Sequence, residues 1–388
     1  MSPWPYQPIS SLGTVITGST PKTSEEHFYG GDIPFVTPAE LDQTDPIMNA
    51  ARTLSETGSQ ESRLLPEGTV MVCCIGSLGK VGIAGRTVAS NQQINSVIFD
   101  PKIIWPRFGF YACRLLKSRL ETLAPATTVP IVNKSKFGQL KIPVPPLEEQ
   151  KRIADILDRA EALRAKRRAA LDLLDELTQS IFIEMFGDPV INPMGWNTKK
   201  LKKLCVKILG GGTPSKSRPE YYEGNMPWVT PKDMKQDFIQ DSIDHISAQA
   251  VKESSTKLIP PNSLLMVIRS GILKKKLPVA INTCEVTINQ DMKGFLFDNR
   301  LTNSYFMLYF FKIYQRDLLN RVRSVTADNL EFDQIKDINV IVPPIEKQQK
   351  FALRVAAIGK LKTSHETSLS ELNELFASLQ YRAFRGEL

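Results

Sequence analysis

The sequence predicts an α+β protein: two pseudo-repeated α/β globular domains separated by an antiparallel two-helix coiled coil. Three observations lead there. The chain is written twice, each copy mixes short β-rich runs with turn signals, and each copy closes on a long helical stretch. Gly18-Ser19-Thr20-Pro21-Lys22 and Gly31-Asp32-Ile33-Pro34-Phe35-Val36-Thr37-Pro38 recur as Gly211-Gly212-Thr213-Pro214-Ser215 and Gly224-Asn225-Met226-Pro227-Trp228-Val229-Thr230-Pro231. Pro21 to Pro214 and Pro38 to Pro231 are each displaced by 193 positions (214−21, 231−38). Asn91-Gln92 to Asn289-Gln290, and Pro145-Pro146 to Pro343-Pro344, are displaced by 198 (289−91, 343−145). So small a drift means short loop insertions within one shared fold. A period this long is not that of a solenoid.

The elements follow in order. Residues 1–145 and 190–343 form the two globular parts, with strands predicted at Val70–Ile75, Val97–Phe99, Leu264–Ile268, Pro278–Ile281, Phe295–Phe297 and Ile338–Val342. These runs are short, apolar and bounded by Gly, Pro and Asn. One helix is expected in each part, around Phe110–Thr122 and Asn303–Val322. The remaining segments, 146–189 and 344–388, read as spacer helices. Pro145-Pro146-Leu147-Glu148-Glu149-Gln150 opens a run without proline or glycine that extends to Phe186, where Gly187-Asp188-Pro189 stops it. Proline suits the first helical position, and acidic residues in the first turn complement the helix dipole.

Within that run Ile156, Ala160, Leu163, Arg167, Ala170, Leu174, Leu177 and Ile181 recur at four-and-three spacing, the signature of a coiled-coil seam. The second helix opens with Pro343-Pro344-Ile345-Glu346-Lys347-Gln348. It carries Val355, Ile358, Leu369, Leu372, Leu375 and Leu379, with a weaker middle at Gly359, Ser364 and His365. A helix of about 40 residues is about 60 Å long, more than one such domain can cover. The two helices are therefore expected to pack on each other.

Composition bounds the function. A chain of 388 residues with 42% apolar residues buries a sizeable core, and 49 Lys+Arg against 41 Asp+Glu give a net charge of +8. That balance permits a polyanionic partner, because basic clefts attract phosphate backbones at long range. The five cysteines make no Cys-x-x-Cys pair and no His-x-x-x-His occurs, so a zinc site is not expected. Cys73 and Cys74, in a predicted strand, should face opposite sides as small hydrophobes. No signal peptide or membrane-spanning run is visible, so a cytoplasmic location without membrane association is expected.

Catalytic chemistry is hard to find. His27, His245 and His365 stand alone, and none matches a position in the other copy. Gly76-Ser77-Leu78-Gly79-Lys80 has too short a glycine spacing for a phosphate loop. The recurring polar residues say more. Thr20 and Lys22, with Thr213 and Lys216, lie on turns suited to phosphate or base-edge contacts. Ser77 and Lys80 correspond to Arg269, Ser270, Lys274, Lys275 and Lys276, a loop whose charge density favours a nucleic-acid backbone. Asn91 with Gln92, and Asn289 with Gln290, offer amides that can read adenine edges or, equally, bond backbone inside the fold.

Together the Gly-x-Thr-Pro turn, the Pro-Phe-Val-Thr and Pro-Trp-Val-Thr boxes, the Asn-Gln pair and Pro-Pro-Leu/Ile-Glu-x-Gln before a long helix resemble the specificity subunits of type I restriction–modification systems. The likeness spans the chain and includes Ala383-Phe384-Arg385-Gly386-Glu387-Leu388. One departure is that the chain begins almost at the first domain, leaving room only for a very short N-terminal cap.

The resemblance implies two target recognition domains, each reading one half of a bipartite site in double-stranded DNA. It also implies helices that set the gap and dock two methyltransferase subunits; Ile156, Leu163, Leu174, Leu177, Ile181, Ile358, Leu372, Leu375 and Leu379 are expected to form the contact between the helices or with that partner. Half-sites on one DNA face sit about 34 Å apart, within reach of such helices. On this reading the chain is not an enzyme and binds no cofactor or metal. S-adenosylmethionine belongs to the methyltransferase, and cleavage to a further restriction and translocation subunit. The competing expectations are a self-sufficient nuclease or methyltransferase, and a nucleic-acid-binding scaffold or regulator outside restriction.

Overall fold

The computed structural model describes residues 4–124, 129–322 and 330–388. The chain divides into two compact units, Met1–Arg168 with Thr367–Leu388, and Ala169–Glu366.

In the first unit, Tyr6–Pro8 pairs antiparallel with Lys141–Pro143. The main sheet has the order Gly13–Thr17, Ile94–Phe99, Val70–Cys73, Val81–Ile83, antiparallel throughout. A second sheet runs Thr53–Leu54, Tyr29–Val36, Val88–Ser90, Leu64–Leu65, with its middle pair parallel. Strand Val70–Cys73 divides two cores, because successive side chains alternate faces. Val70, Val72 and Cys74 face the helix Pro106–Arg114, while Met71 and Cys73 face the second sheet. The two cysteines thus point to opposite sides, as expected, and burial pushes the Cys74 thiol up to about 12.

The second unit repeats this plan. Its main sheet runs Cys205–Gly210, Met292–Phe297, Leu264–Val267, Val279–Asn282, Phe238–Ile239, and its second sheet His245–Ile246, Met226–Val229, Val286–Ile288, Leu258–Ile259. Even the extra edge strand has a trace in the first unit, a single parallel bridge from Ile47 to Ala84 (239−47 is 192). The displacement is 194 at Val70/Leu264 (264−70) and 198 at Val81/Val279 (279−81). Four extra residues therefore sit between these two strands, in the loop that carries Arg269 to Lys276.

Several sequence expectations change. The helix expected over Phe110–Thr122 is two, Pro106–Arg114 and Lys117–Leu123, because Pro106 fixes an earlier start and the break turns Leu116 and Leu120 into the core. Gly13–Thr17, Val81–Ile83 and Val88–Ser90 are strands that the sequence pattern does not announce. The last two are buried on both faces, so they show no alternation.

The long helices span Leu147–Phe186 and Ile345–Ala383. In the first turn of each, a glutamine is fully buried only four residues past the proline pair. Gln150 Oε1 accepts from Trp105 N at 2.8 Å, while Nε2 donates to the carbonyls of Ile103 and Pro145 at 2.9 and 2.8 Å. Gln348 Oε1 accepts from Thr302 Oγ1, and Nε2 donates to Leu301 and Pro343 at 3.1 and 2.9 Å. Each glutamine rivets its helix to the loop before the domain helix, which gives the Pro-Pro-x-Glu-x-Gln motif its physical purpose. Gly187, in the left-handed region at φ 76°, ends the first helix.

The long helices also contribute to the globular cores. The core of the first unit takes Ile153, Leu157 and Ala160 from the first helix, Phe376 from the second, and Phe384 from the turn just past its end. The core of the second unit takes Phe351 and Val355 from the second helix, and Phe182 and Phe186 from the first. Within each unit the two segments run antiparallel. Arg164 Nε donates to Asn373 at 2.7 Å and Arg152 to the Leu388 carbonyl, while Lys362 pairs with Asp175 at 2.6 Å.

The buried stripe is rotated from the expected seam. Ile358 is buried and Ile156, Leu174, Ile181, Leu372 and Leu379 are partly covered, but Leu163, Leu177 and Leu375 are 52%, 46% and 48% exposed. The reason is that each helix must also serve a globular core. Its inward face includes Gln150, Glu161 and Thr178, polar residues that an apolar pattern does not count.

Candidate nucleic-acid interface

Strand register decides which loops meet. In the first unit Thr17 lies opposite Asn95, Ile94 opposite Cys73, and Val72 opposite Val81. The turn after Thr17, the loop before Ile94 and the loop between Cys73 and Val81 therefore leave the same end of the sheet. The same holds for Gly210 opposite Lys293, Val267 opposite Met292, and Met266 opposite Val279. Every residue singled out for nucleic-acid contact thus falls at one end of its own unit.

That end is built alike in both copies. Gly18 touches the second loop so closely that a Cβ would lie 2.2 Å from the Asn91 carbonyl; at Gly211 the clash with the Asn289 carbonyl would be at 2.0 Å. Tyr29 and Tyr222 donate to the carbonyls of Pro21 and Pro214, each at 2.8 Å. Thr20 donates to Gln92, and Thr213 to Gln290. The Gly-x-Thr-Pro turn and the Asn-Gln pair, 72 residues apart in the first unit, form one structure.

Asn91 and Asn289 are put to the second of their two possible uses. Asn91 Oδ1 accepts from Gln93 N at 3.1 Å and its amide donates to Gln93 Oε1, and Asn289 treats Asp291 in the same way. Both are buried, so base reading is not open to them. Gln92 and Gln290 are exposed beside them.

The third loop separates the copies. Lys80 is half-buried and donates to the Pro38 carbonyl at 3.3 Å, and Ser77 is exposed. In the second unit Ser270 caps a short 3-10 turn, Gly271–Lys274, by accepting from Ile272 N. That turn holds Lys274, Lys275 and Lys276 out to solvent. Arg269 pairs with Asp291 at 3.3 Å. Lys22 and Lys216 are exposed on the first turns.

Two cations at this end, Lys293 and Lys257, escape the sequence reading. Lys293 lies across from Gly210, where a Cβ would come within 3.0 Å of its ammonium. Burial, then the charges of Arg269 and Lys257, push its pKa down. The displacements could have found it: position 293 matches Asn95 (293−198) and Gly210 matches Thr17 (210−193), a neutral pair bonded at 2.7 Å.

A concavity lies elsewhere in the second unit. It is a cleft of about 1920 Å³ lined by Asp237, Lys312, Ile183, Ile191 and Ile243, among others. Among the described residues, no group of three or more His, Cys, Asp or Glu could hold a metal, and no helix is long and apolar enough to cross a membrane.

The type I restriction modification DNA specificity domain family matches the chain twice, over residues 1–173 and 193–374. The type I restriction enzyme MjaIX specificity subunit of Methanocaldococcus jannaschii is 24% identical, over 99% of this chain and 93% of its own. The EcoR124I/EcoR124II specificity subunit of Escherichia coli is 32% identical, over 66% of this chain and 64% of its own. Among solved structures, the S subunit of a type I restriction–modification system from M. genitalium shares the fold. Its TM-score is 0.60 at 16% identity, with 98% of this chain and 96% of that one covered.

Proposed function

We infer the function from one premise: the chain belongs to the type I restriction modification DNA specificity family, whose domain it carries twice. It is the DNA sequence-recognition subunit of a type I restriction–modification system. The finer division of labour that we propose gives each unit one half of a split, asymmetric sequence. The observation that carries this reading is the end built twice, with a shared scaffold and unlike charged loops. Two readers of common design and different surface select different half-sequences, because phosphate contacts position a protein while side chains on loops meet base edges. Gln92 and Gln290, braced by Thr20 and Thr213, are the amides offered to bases. Lys22, Lys216, Lys80 and the cations from Arg269 to Lys276 are offered to phosphates, and Ser77 and Ser270 flank them.

On this reading the chain itself transfers no group. Methyl transfer, with the S-adenosylmethionine it consumes, belongs to methyltransferase subunits, and cleavage to a restriction and translocation subunit. The half-exposed leucines Leu163, Leu177 and Leu375 are offered to a methyltransferase, since an apolar side chain gains most when a partner covers it. The long helices set the number of unread base pairs between the half-sites.

Sequencing the host methylome with and without this gene tests the reading. The expected result is loss of one motif made of two unlike half-sequences around a fixed gap. An unchanged methylome, or a contiguous motif, counts against it. Removing seven residues from the middle of both helices together should alter the gap and leave both half-sequences intact. Changed bases at constant gap would end the ruler idea.

A further inference from the structure

We infer that Lys293, with Arg269 and Lys257, holds a phosphodiester of the DNA backbone against the second unit, a contact that the first unit is not built to make. This rests on the reading of both units as DNA readers, and adds to it an asymmetry of anchoring.

Lys293 sits at the end of the sheet where the three loops emerge, opposite Gly210 in strand register. The absent side chain of Gly210 leaves room for the ammonium, which lies 4.9 Å from the centre of the Phe332 ring. Lys293 is half-buried, and no carboxylate among the described residues pairs with it. Arg269 and Lys257 lie close enough to oppose its charge. The one acid in the group, Asp291, is engaged by Arg269.

Arg269, held to Asp291 by backbone and side chain, and Lys257 both oppose the charge of the partly desolvated Lys293, and that crowding costs free energy in the free protein. An anion bridging them offsets that cost, and a phosphate oxygen is the anion that DNA supplies along its whole length. Perturbed charges of this kind cluster at functional sites.

The first unit fills the positions of Gly210 and Lys293 with a neutral pair. Thr17 donates to Asn95 at 2.7 Å, and Asn95 donates to the Val132 carbonyl. Ile75 stands where Arg269 does (269−194), and Arg63, matching Lys257 (257−194), commits its guanidinium to the Thr17 carbonyl at 2.7 Å. The sequence-independent share of binding therefore falls more heavily on the second unit.

The test uses the full chain and a mixed-sequence duplex of about 30 base pairs, with affinity measured across a salt series. Lys293→Asn combined with Gly210→Thr rebuilds the neutral pair of the first unit. It should reduce the slope of log affinity against log salt by about 0.9, the share of one phosphate. Lys293→Arg should keep the full slope. An unchanged slope in the double variant overturns the inference while leaving DNA recognition intact. A slope reduced equally in Lys293→Arg also overturns it, since the lysine would then serve only packing. If the unaltered chain binds no duplex at any salt, DNA recognition itself falls and takes the inference with it.

Discussion

The two units place the same fold behind different surfaces, and the division between what is kept and what changes follows from what each residue must satisfy. Kept residues answer to buried backbone: Gly18 and Gly211, Tyr29 and Tyr222, Asn91 and Asn289, Gln150 and Gln348 each play the same part in both copies. Residues that change answer to solvent. The loop from Cys74 to Lys80 carries one lysine, whereas the longer loop from Ile268 to Pro278 carries an arginine and three lysines. A duplicated recognition protein can diverge there without cost to its core.

The cores differ too, and breaking them should give the largest effects. Phe182, Phe186, Phe306 and Phe351 form an aromatic quartet with ring centroids 5.0 to 5.5 Å apart. The first unit keeps only Phe108 against Phe384, at 5.2 Å, with Gln380 and Ile153 in the places of Phe182 and Phe351 (380−182 and 351−153 are both 198). Phe182→Ala removes the ring at the centre of three others and should destabilise the second unit by about 4 kcal/mol. Phe384→Ala, near the chain end where neighbours can close in, should cost the first unit about 3 kcal/mol. Amide hydrogen exchange, read separately over each unit, measures both. Equal losses would show that the quartet adds nothing to the pair.

Next come the glutamine rivets. Gln150→Leu keeps the volume and strands the Ile103 and Pro145 carbonyls and the Trp105 amide. At about 1 kcal/mol for each buried group left without a partner, the loss is about 3 kcal/mol. Gln348→Leu should lose about as much, because the Leu301 and Pro343 carbonyls and the Asn303 amide are its matching partners, the Thr302 hydroxyl being an addition. Denaturant unfolding followed over the two units checks this; a marked inequality would mean that the two helix starts are not the same device.

Much of this is legible in the sequence, for identifiable reasons. The duplication, the long helices and the strands at Val70 and Leu264 can be read because repeated motifs and apolar runs are written in residue order alone. The seam reads out of phase because Gln150, Glu161 and Thr178 face inward, and a buried polar residue looks like an exposed one until its partners are known. The shared end of the sheet is invisible for another reason. It depends on register between strands more than 70 residues apart, such as Val15 opposite Val97. Lys293 escapes because it sits in an apolar strand, where a lone lysine reads as an interruption; only its match with Asn95 marks it.

Charge in the third loop offers a sharper test at smaller effect. Replacing Lys274, Lys275 and Lys276 together by Ala should flatten the salt dependence of duplex binding, by up to about 0.9 for each phosphate no longer neutralised. Lys80→Ala should change the slope far less, since Lys80 is half-buried and bonded to Pro38. Equal slopes in the two variants would remove the electrostatic difference between these loops.

The finest comparison is the hydroxyl–amide bond that joins the first turn to the second loop. Thr20→Val and Thr213→Val keep the shape of the side chain and delete the donor to Gln92 and to Gln290. Both bonds lie at the solvent edge, where water replaces a missing partner, so each should cost about 0.5–1 kcal/mol, the net worth of an ordinary hydrogen bond. The functional effect need not follow the energetic one. A glutamine released from its threonine samples more rotamers, and an amide that reads a base must be held still to discriminate. Thr20→Val should therefore blur the half-sequence read by the first unit at one position and leave the other half untouched, with Thr213→Val doing the reverse. Methylome mapping of each variant distinguishes the two. Blurring of both halves by either variant would mean that the braces act on the whole protein, and sharp motifs in both would mean that the glutamines do not face bases.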